Sequence, residues 1–124
     1  MYDLIDRKMR SAERSGLSVG LIRVRMREYA THELDESAII KCAELLANQL
    51  RPDDIVGRMG IYEFLIVLAQ DASHSNYDRT FERIMNRCAM QNETQLEFAT
   101  TQSQSHEKVR DVLNRLDTQP VFFS

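Results

Sequence analysis

An arginine and an aspartate three residues apart, Arg51 and Asp54, form the first pair whose chemistry could bind a ligand. The planar guanidinium of arginine binds phosphate bidentately, and a carboxylate accepts hydrogen bonds from N–H groups. A simpler interpretation also fits this spacing. An arginine near a helix C-terminus suits the helix dipole, and a pair at i, i+3 forms a local ion pair. The sequence leaves both interpretations open.

Three further arginines occupy alternate positions at the end of an apolar segment. They are Arg23, Arg25 and Arg27, here called the arginine ladder. In a β-strand, a period of two places all three side chains on one face. The ladder could hold an anionic ligand or the acidic face of a partner. It could equally be a charged strand end that protects a sheet edge and pairs with Glu33 or Asp35.

The cysteines and histidines do not have the spacing of a metal site. Cys42 and Cys88 are the only two cysteines. Both lie on apolar stripes of predicted helices, so we expect buried, reduced thiols. The histidines (His32, His74 and His106) are far apart, and none has a second ligand at metal-binding spacing. We therefore expect neither a metal nor a cofactor bound by these residues.

The composition is that of an ordinary globular domain. The chain has 124 residues, of which 43% are hydrophobic and 28% charged, which suits one domain over residues 1–124. A net charge of −3 gives no general attraction to nucleic acid or anionic lipid. No apolar stretch approaches the roughly 20 residues of a membrane span, and the first ten residues lack a signal-peptide core. We expect a cytoplasmic protein without membrane insertion or nucleic-acid binding.

Hydrophobic periodicity predicts alternating helices and strands. Helices are predicted at residues 3–14, 34–49, 77–90 and 105–117. Strands are predicted at residues 17–24, 55–59, 63–69, 94–101 and 121–123. The three-residue connection that includes Gly60 predicts a β-hairpin, and residues 70–76 read as a polar loop. This order predicts an α/β fold with a β-α-β-β-α-β core, in which helices surround a mostly antiparallel central sheet.

Residues 50–64 resemble the signature region of the GGDEF domain, the diguanylate cyclase family. In that family an Arg-x-x-Asp motif is followed, after five residues, by Gly-Gly-(Asp/Glu)-Glu-Phe on a hairpin. Arg51 and Asp54 match the first motif here. The positions of the hairpin signature are Gly60, Ile61, Tyr62, Glu63 and Phe64. The resemblance extends over most of the chain and implies a GGDEF-like fold of the nucleotidyl cyclase, ferredoxin-like type.

The positions that the resemblance assigns to metal binding carry other residue types. Family members that make cyclic di-GMP from two GTP molecules bind metal with an Asp at the end of the first central strand and with the acidic third signature residue. Arg23 and Tyr62 stand at these positions, and neither replaces a carboxylate as a cation ligand. Ile61 replaces the second glycine, which lets the backbone approach the nucleotide. Because phosphoryl transfer relies on metal, the resemblance implies no cyclase activity.

Other parts of the family pattern are also absent. Residues 28–35 have no equivalent of the Asn-Asp pair and Gly-His run that help hold guanine in the family. The last helix has Leu113-Asn-Arg-Leu-Asp117 in place of a Leu-Tyr…Lys pattern, and the leading Asp-x-Leu-Thr-x-Leu motif is missing. The chain is therefore expected to be a degenerate GGDEF domain.

The Arg-x-x-Asp motif is the retained part of the family pattern. In the family it forms an inhibitory site that binds cyclic di-GMP away from the catalytic residues. Arg51 can reach a phosphate or the Hoogsteen edge of guanine, and Asp54 can accept from guanine N–H groups. The resemblance thus implies a non-catalytic, regulatory protein of bacterial signalling that senses cyclic di-GMP through these two residues, with a protein partner or as a homodimer.

The alternative function is a protein–protein interaction module that binds no nucleotide. In that case the former active-site surface, relined by Ile61, Tyr62 and the arginine ladder, contacts another protein. Tyr62 is then either an exposed contact residue or a side chain packed into the vacated pocket.

Overall fold

The computed structural model describes residues 2–27, 36–68, 74–91 and 95–123. In these ranges the helices are α1 (Tyr2–Arg14), α2 (Glu36–Asn48), α3 (His74–Gln91) and α4 (Val109–Asp117). The strands are β1 (Gly20–Met26), β2 (Ile55–Gly60), β3 (Glu63–Val67), β4 (Leu96–Gln102) and β5 (Phe122–Phe123). Among the described helices, none is both long and apolar enough to cross a membrane.

The five strands form one antiparallel sheet in the order β2-β3-β1-β4-β5. β2 and β3 make the predicted hairpin, and β1 lies at the centre of the sheet between β3 and β4. The predicted α/β fold with a β-α-β-β-α-β core is confirmed. Because β1 is central, the interpretation of its arginines as edge protection is wrong.

Hydrophobic residues pack against both faces of the sheet, since successive side chains of a strand point to opposite sides. On one face, Val24 of β1 packs with α2 and α3 in what we call the first core. On the other face, Leu21 packs with α1 and α4 in the second core. Burying each large aliphatic side chain contributes about 1.5–3 kcal/mol, so the two cores hold the helices on the sheet.

Both β1 and α3 begin elsewhere than the periodicity predicts. β1 begins at Gly20 instead of residue 17, because the Ser103 hydroxyl replaces a backbone carbonyl as acceptor for the Val19 N–H at 2.9 Å. α3 begins at His74, inside the predicted loop. Residues 74–76 are polar and give no apolar period that would signal a helix. The predicted start of α2 at residue 34 lies outside the described residues.

The last helix begins four residues later than predicted, at Val109. His106 has a positive φ of 62°, which interrupts a helical path. The Glu107 carboxylate accepts the Gln104 N–H at 2.9 Å and closes the preceding turn. The spacing of apolar residues shows which face of the helix is buried, but it gives no information about the turn that precedes the helix.

Both cysteines are free and buried in the first core, as predicted. Burial raises the pKa of Cys42 from 9.0 to about 11. Burial, with a smaller contribution from Cys42, raises the pKa of Cys88 to about 12. Both thiols are therefore neutral at physiological pH.

We expect Cys42 and Cys88 to resist thiol–disulfide exchange in the folded protein, because the thiolate is the nucleophile. A pKa raised from 9.0 to about 11 lowers the thiolate fraction about 100-fold at pH 8. Reaction with a disulfide dye, with and without guanidinium chloride, measures the difference. Equal rates in the two conditions would contradict the buried packing.

The same raised pKa values predict a fall in stability at alkaline pH. Above pH 9 the unfolded chain releases thiol protons that the folded protein retains, so the free energy of unfolding decreases as pH rises from 9 towards 11–12. Urea titrations from pH 8 to 10.5 measure this slope. The variant Cys42→Ala/Cys88→Ala is the control and should show a shallower slope.

Candidate functional site

The Arg-x-x-Asp motif forms a closed turn between α2 and β2. Oδ2 of Asp54 accepts a hydrogen bond from the backbone N–H of Arg51 at 2.9 Å, and the Asp54 N–H donates to the Arg51 carbonyl at 3.0 Å. Asp54 therefore contacts the main chain of Arg51. The guanidinium of Arg51 is exposed, and none of the described residues forms an ion pair with it.

Two other cationic side chains reach the same turn from distant parts of the chain. Nζ of Lys8, on α1, donates to the carbonyl of Asp53 at 3.0 Å. Nη2 of Arg83, on α3, donates to the carbonyl of Gln49 at 3.0 Å. Sequence analysis missed both, because they lie 45 and 34 residues from their acceptors and share no motif. The turn, which carries Arg51, is thus contacted by one basic side chain from α1 and one from α3.

The hairpin that carries the signature positions is braced by Arg58. Its guanidinium donates to the carbonyls of Gly60 at 3.1 Å and Ile61 at 2.9 Å. Ile61 is 69% exposed at the tip of the hairpin. The side chain of Tyr62 is half-buried and packs against the first core. Of the two interpretations of Tyr62, the structure therefore supports the packed side chain.

Arg23 and Arg25 lie on one face of β1, as the period of two predicts, and Arg27 directly follows the strand. All three meet carboxylates of neighbouring elements. Arg25 stands between Glu63 of β3 and Glu97 of β4, with nitrogen–oxygen distances of 3.3 and 3.8 Å. Arg27 lies 3.9 Å from Glu97 and covers the ring of Phe123 at 5.2 Å. The partners predicted from the sequence, Glu33 and Asp35, lie outside the described residues.

Arg23 is the innermost member of the ladder and is only 8% exposed. Its Nη1 contacts Oδ1 of Asp117 at the end of α4, and its Nε lies 3.6 Å from Oε1 of Glu63. The ladder therefore presents three guanidinium groups to three carboxylates. A surface balanced in this way has little net attraction for an anion.

The position that the resemblance assigns to a metal-binding carboxylate is thus filled by a paired guanidinium, a group that cannot coordinate a cation. Within the described residues, no group of three or more His, Cys, Asp or Glu side chains is placed to hold a metal ion. The segment 28–35, which the resemblance relates to guanine binding, lies outside the described residues.

Comparison with known proteins gives matches among solved structures. The fold matches the GGDEF domain of TpbB (YfiN) from Pseudomonas aeruginosa with a TM-score of 0.79 and 19% identity, over 94% of this chain and 76% of that one. The chain has the fold of GGDEF domains. No family model and no curated protein matches the sequence.

Two further matches were crystallised with a ligand or a protein. The GGDEF domain of DgcB from Caulobacter crescentus, in complex with c-di-GMP, matches with a TM-score of 0.76 and 19% identity, over 93% of this chain and 77% of that one. The diguanylate cyclase SiaD from Pseudomonas aeruginosa, in complex with its activator SiaC, matches with a TM-score of 0.80 and 19% identity. That alignment covers 95% of this chain and 50% of SiaD. At 19% sequence identity, these matches establish that the chain has the GGDEF fold.

We expect Tyr62→Ala to lower the free energy of unfolding by about 1–3 kcal/mol, because it removes a ring that packs on the first core. Ile61→Ala, at the exposed neighbouring position, should change it by less than about 0.5 kcal/mol. Urea denaturation measures both variants. Equal stability of the Tyr62→Ala variant and the native chain would indicate that Tyr62 is a surface residue.

Proposed function

We propose that this chain is a non-catalytic regulatory GGDEF-like domain of the cytoplasm, which senses cyclic di-GMP through Arg51 and Asp54. One contrast carries the proposal. Each arginine of the ladder has a carboxylate partner, whereas no described residue pairs with the exposed guanidinium of Arg51. A guanidinium without an internal counter-ion keeps its capacity for an external anion.

The surroundings of Arg51 support an anionic ligand that carries purine bases. Lys8 and Arg83 donate to backbone carbonyls at the turn, so with Arg51 they place three positive charges beside the carboxylates of Asp53 and Asp54. Asp54 supplies a carboxylate that can accept from guanine N–H groups. Cyclic di-GMP combines phosphates and guanines, and the DgcB domain of the same fold was crystallised with it.

Ligand binding at the turn would affect other parts of the domain, because the turn contacts several helices. The turn contacts α1 through Lys8 and α3 through Arg83, and it directly follows α2. A ligand that engages these groups favours one arrangement of the three helices, which shifts the population towards one surface for a protein partner. SiaD, which has the same fold, was crystallised with a protein activator.

The proposal that the domain is degenerate and lacks cyclase activity rests on Arg23 and Tyr62. A buried guanidinium and a half-buried phenol occupy the two positions where the resemblance requires carboxylates. Neither group binds a divalent cation that would offset the charge of a triphosphate.

We expect the native chain to bind cyclic di-GMP with a micromolar Kd in a calorimetric titration. Arg51→Ala should raise the Kd at least about tenfold, because it removes a charge-assisted, bidentate contact. Arg110→Ala is the matched control, since Arg110 is also exposed but lies on α4, which packs on the opposite face of the sheet.

Two results of this titration would refute the ligand proposal. One is the absence of binding heat with the native chain at several temperatures. The other is an equal loss of affinity in Arg51→Ala and Arg110→Ala, which would indicate non-specific attraction to positive charge.

We expect no cyclic di-GMP from GTP in the presence of Mg²⁺ or Mn²⁺, because the metal-binding carboxylates are replaced. Chromatography of the nucleotides after prolonged incubation measures product, with an active diguanylate cyclase as the assay control. Product formation that depends on the metal and on the chain would overturn the non-catalytic assignment.

The alternative function, a ligand-free interaction module, has one observation in its favour. Ile61 is a large apolar side chain that is 69% exposed at the hairpin tip. Such a residue is a suitable anchor for a protein contact. In a cellular assay of function, Ile61→Asp would then be the damaging substitution and Arg51→Ala the neutral one, which is the opposite of the cyclic di-GMP proposal.

A further inference from the structure

The buried guanidinium of Arg23 connects three elements of the fold. It projects from the central strand β1, contacts Glu63 of β3, and contacts Asp117 at the last position of α4. A charge that is only 8% exposed requires counter-ions, because an unpaired buried charge is strongly unfavourable. The position of the α4 terminus is therefore coupled to the charge of Arg23.

Asp117 stands at a position that the helix itself disfavours. The C-terminal end of a helix carries partial negative charge, so a carboxylate there is repelled by the helix dipole. Local helix energetics would favour a neutral residue at this site. The ion pair with Arg23 supplies the attraction that compensates for this repulsion.

The residues after Asp117 form a short segment that returns to the sheet. Residues 118–121 lead into β5, whose Phe122 and Phe123 pair with β4. The ring of Phe122 packs edge-on against Phe81 of α3 at 5.7 Å, and Arg27 covers Phe123. Both phenylalanines remain about half exposed, at 46% and 49%. A two-residue strand with these few contacts depends on how its preceding helix end is placed.

We propose that residues 118–123 form a strap whose docking on β4 is controlled by the Arg23–Asp117 ion pair. With the pair intact, the end of α4 is fixed at the sheet, and the strap covers part of the β4 edge and the ring of Phe81. When the pair is broken, the strap leaves β4 and exposes both. This device is independent of the cyclic di-GMP proposal, since it involves neither Arg51 nor Asp54.

The variant Asp117→Asn tests the strap proposal, because the helix dipole alone and the ion pair predict opposite effects. If only the helix dipole acted on Asp117, neutralising it would stabilise α4 and leave the strap unchanged. The proposal expects the opposite. Successive N–H groups of a strand point to opposite sides, so one of the two amides of β5 faces β4. Hydrogen exchange of that amide should become at least about tenfold faster, and nuclear Overhauser contacts between Phe122 and Phe81 should disappear. Amides of β3 should exchange as slowly in the variant as in the native chain, which would show that the effect is confined to the strap.

Two controls separate the ion pair from a general effect of charge on α4. Asp111→Asn removes an exposed carboxylate from the first turn of the same helix and should not change strap exchange. In the background of Arg23→Met, Asp117→Asn should have little additional effect, because the partner is already absent. Raising NaCl from 0.05 to 1 M, which requires no substitution of Arg23, should speed strap exchange in the native chain but not in Asp117→Asn.

Unchanged or slower exchange of the β5 amide that faces β4 in Asp117→Asn would overturn the proposal. Additive effects of Asp117→Asn and Arg23→Met would also overturn it, because they would show that the two residues act separately. Faster exchange with loss of the Phe81–Phe122 contact, absent in Asp111→Asn, would support it.

Discussion

The need to neutralise a guanidinium on the central strand organises one end of this structure. Arg23 lies on β1, the middle strand of the sheet. Two strands pair with β1 directly, and the other two each lie one strand further out. Its charge cannot be left unpaired at that depth, so carboxylates from β3 and α4 must converge on it. Glu63 serves Arg25 as well, and Glu97 continues the series to Arg27. The alternating charges thus fix the relative positions of three strands and the last helix.

This internal pairing also separates two kinds of arginine. Those of the ladder are engaged by carboxylates across neighbouring strands, whereas the Arg51 turn gathers cations that contact only neutral carbonyls in the described residues. Within the described residues, Arg51, Lys8 and Arg83 therefore meet at the turn after α2 without an ion-pair partner, although the turn also carries the carboxylates of Asp53 and Asp54. Whether an arginine is paired depends on which carboxylates the fold brings next to it, so the positions of the arginines in the sequence do not reveal it.

Sequence patterns were sufficient for most of the fold. The hairpin followed from two apolar runs separated by a glycine-containing connection. The patterns failed at the start of α3, where polar residues are helical, and before α4, where the positive φ of His106 delays the helix. At both places the boundary depends on turn geometry and long-range contacts, which leave no periodic signal.

The sequence by itself determined which residue types stand at the signature positions, that the first two arginines of the ladder share one face, and that the cysteines belong to the core. These properties follow from residue identity and from the periods of strands and helices, which are local. Only the tertiary structure decided that Asp117 is the partner of Arg23, that Tyr62 packs inward, and that Lys8 and Arg83 meet at the Arg51 turn. The physical reason is that charge pairing and packing act between side chains brought together by the fold, whose separation along the chain reaches 94 residues.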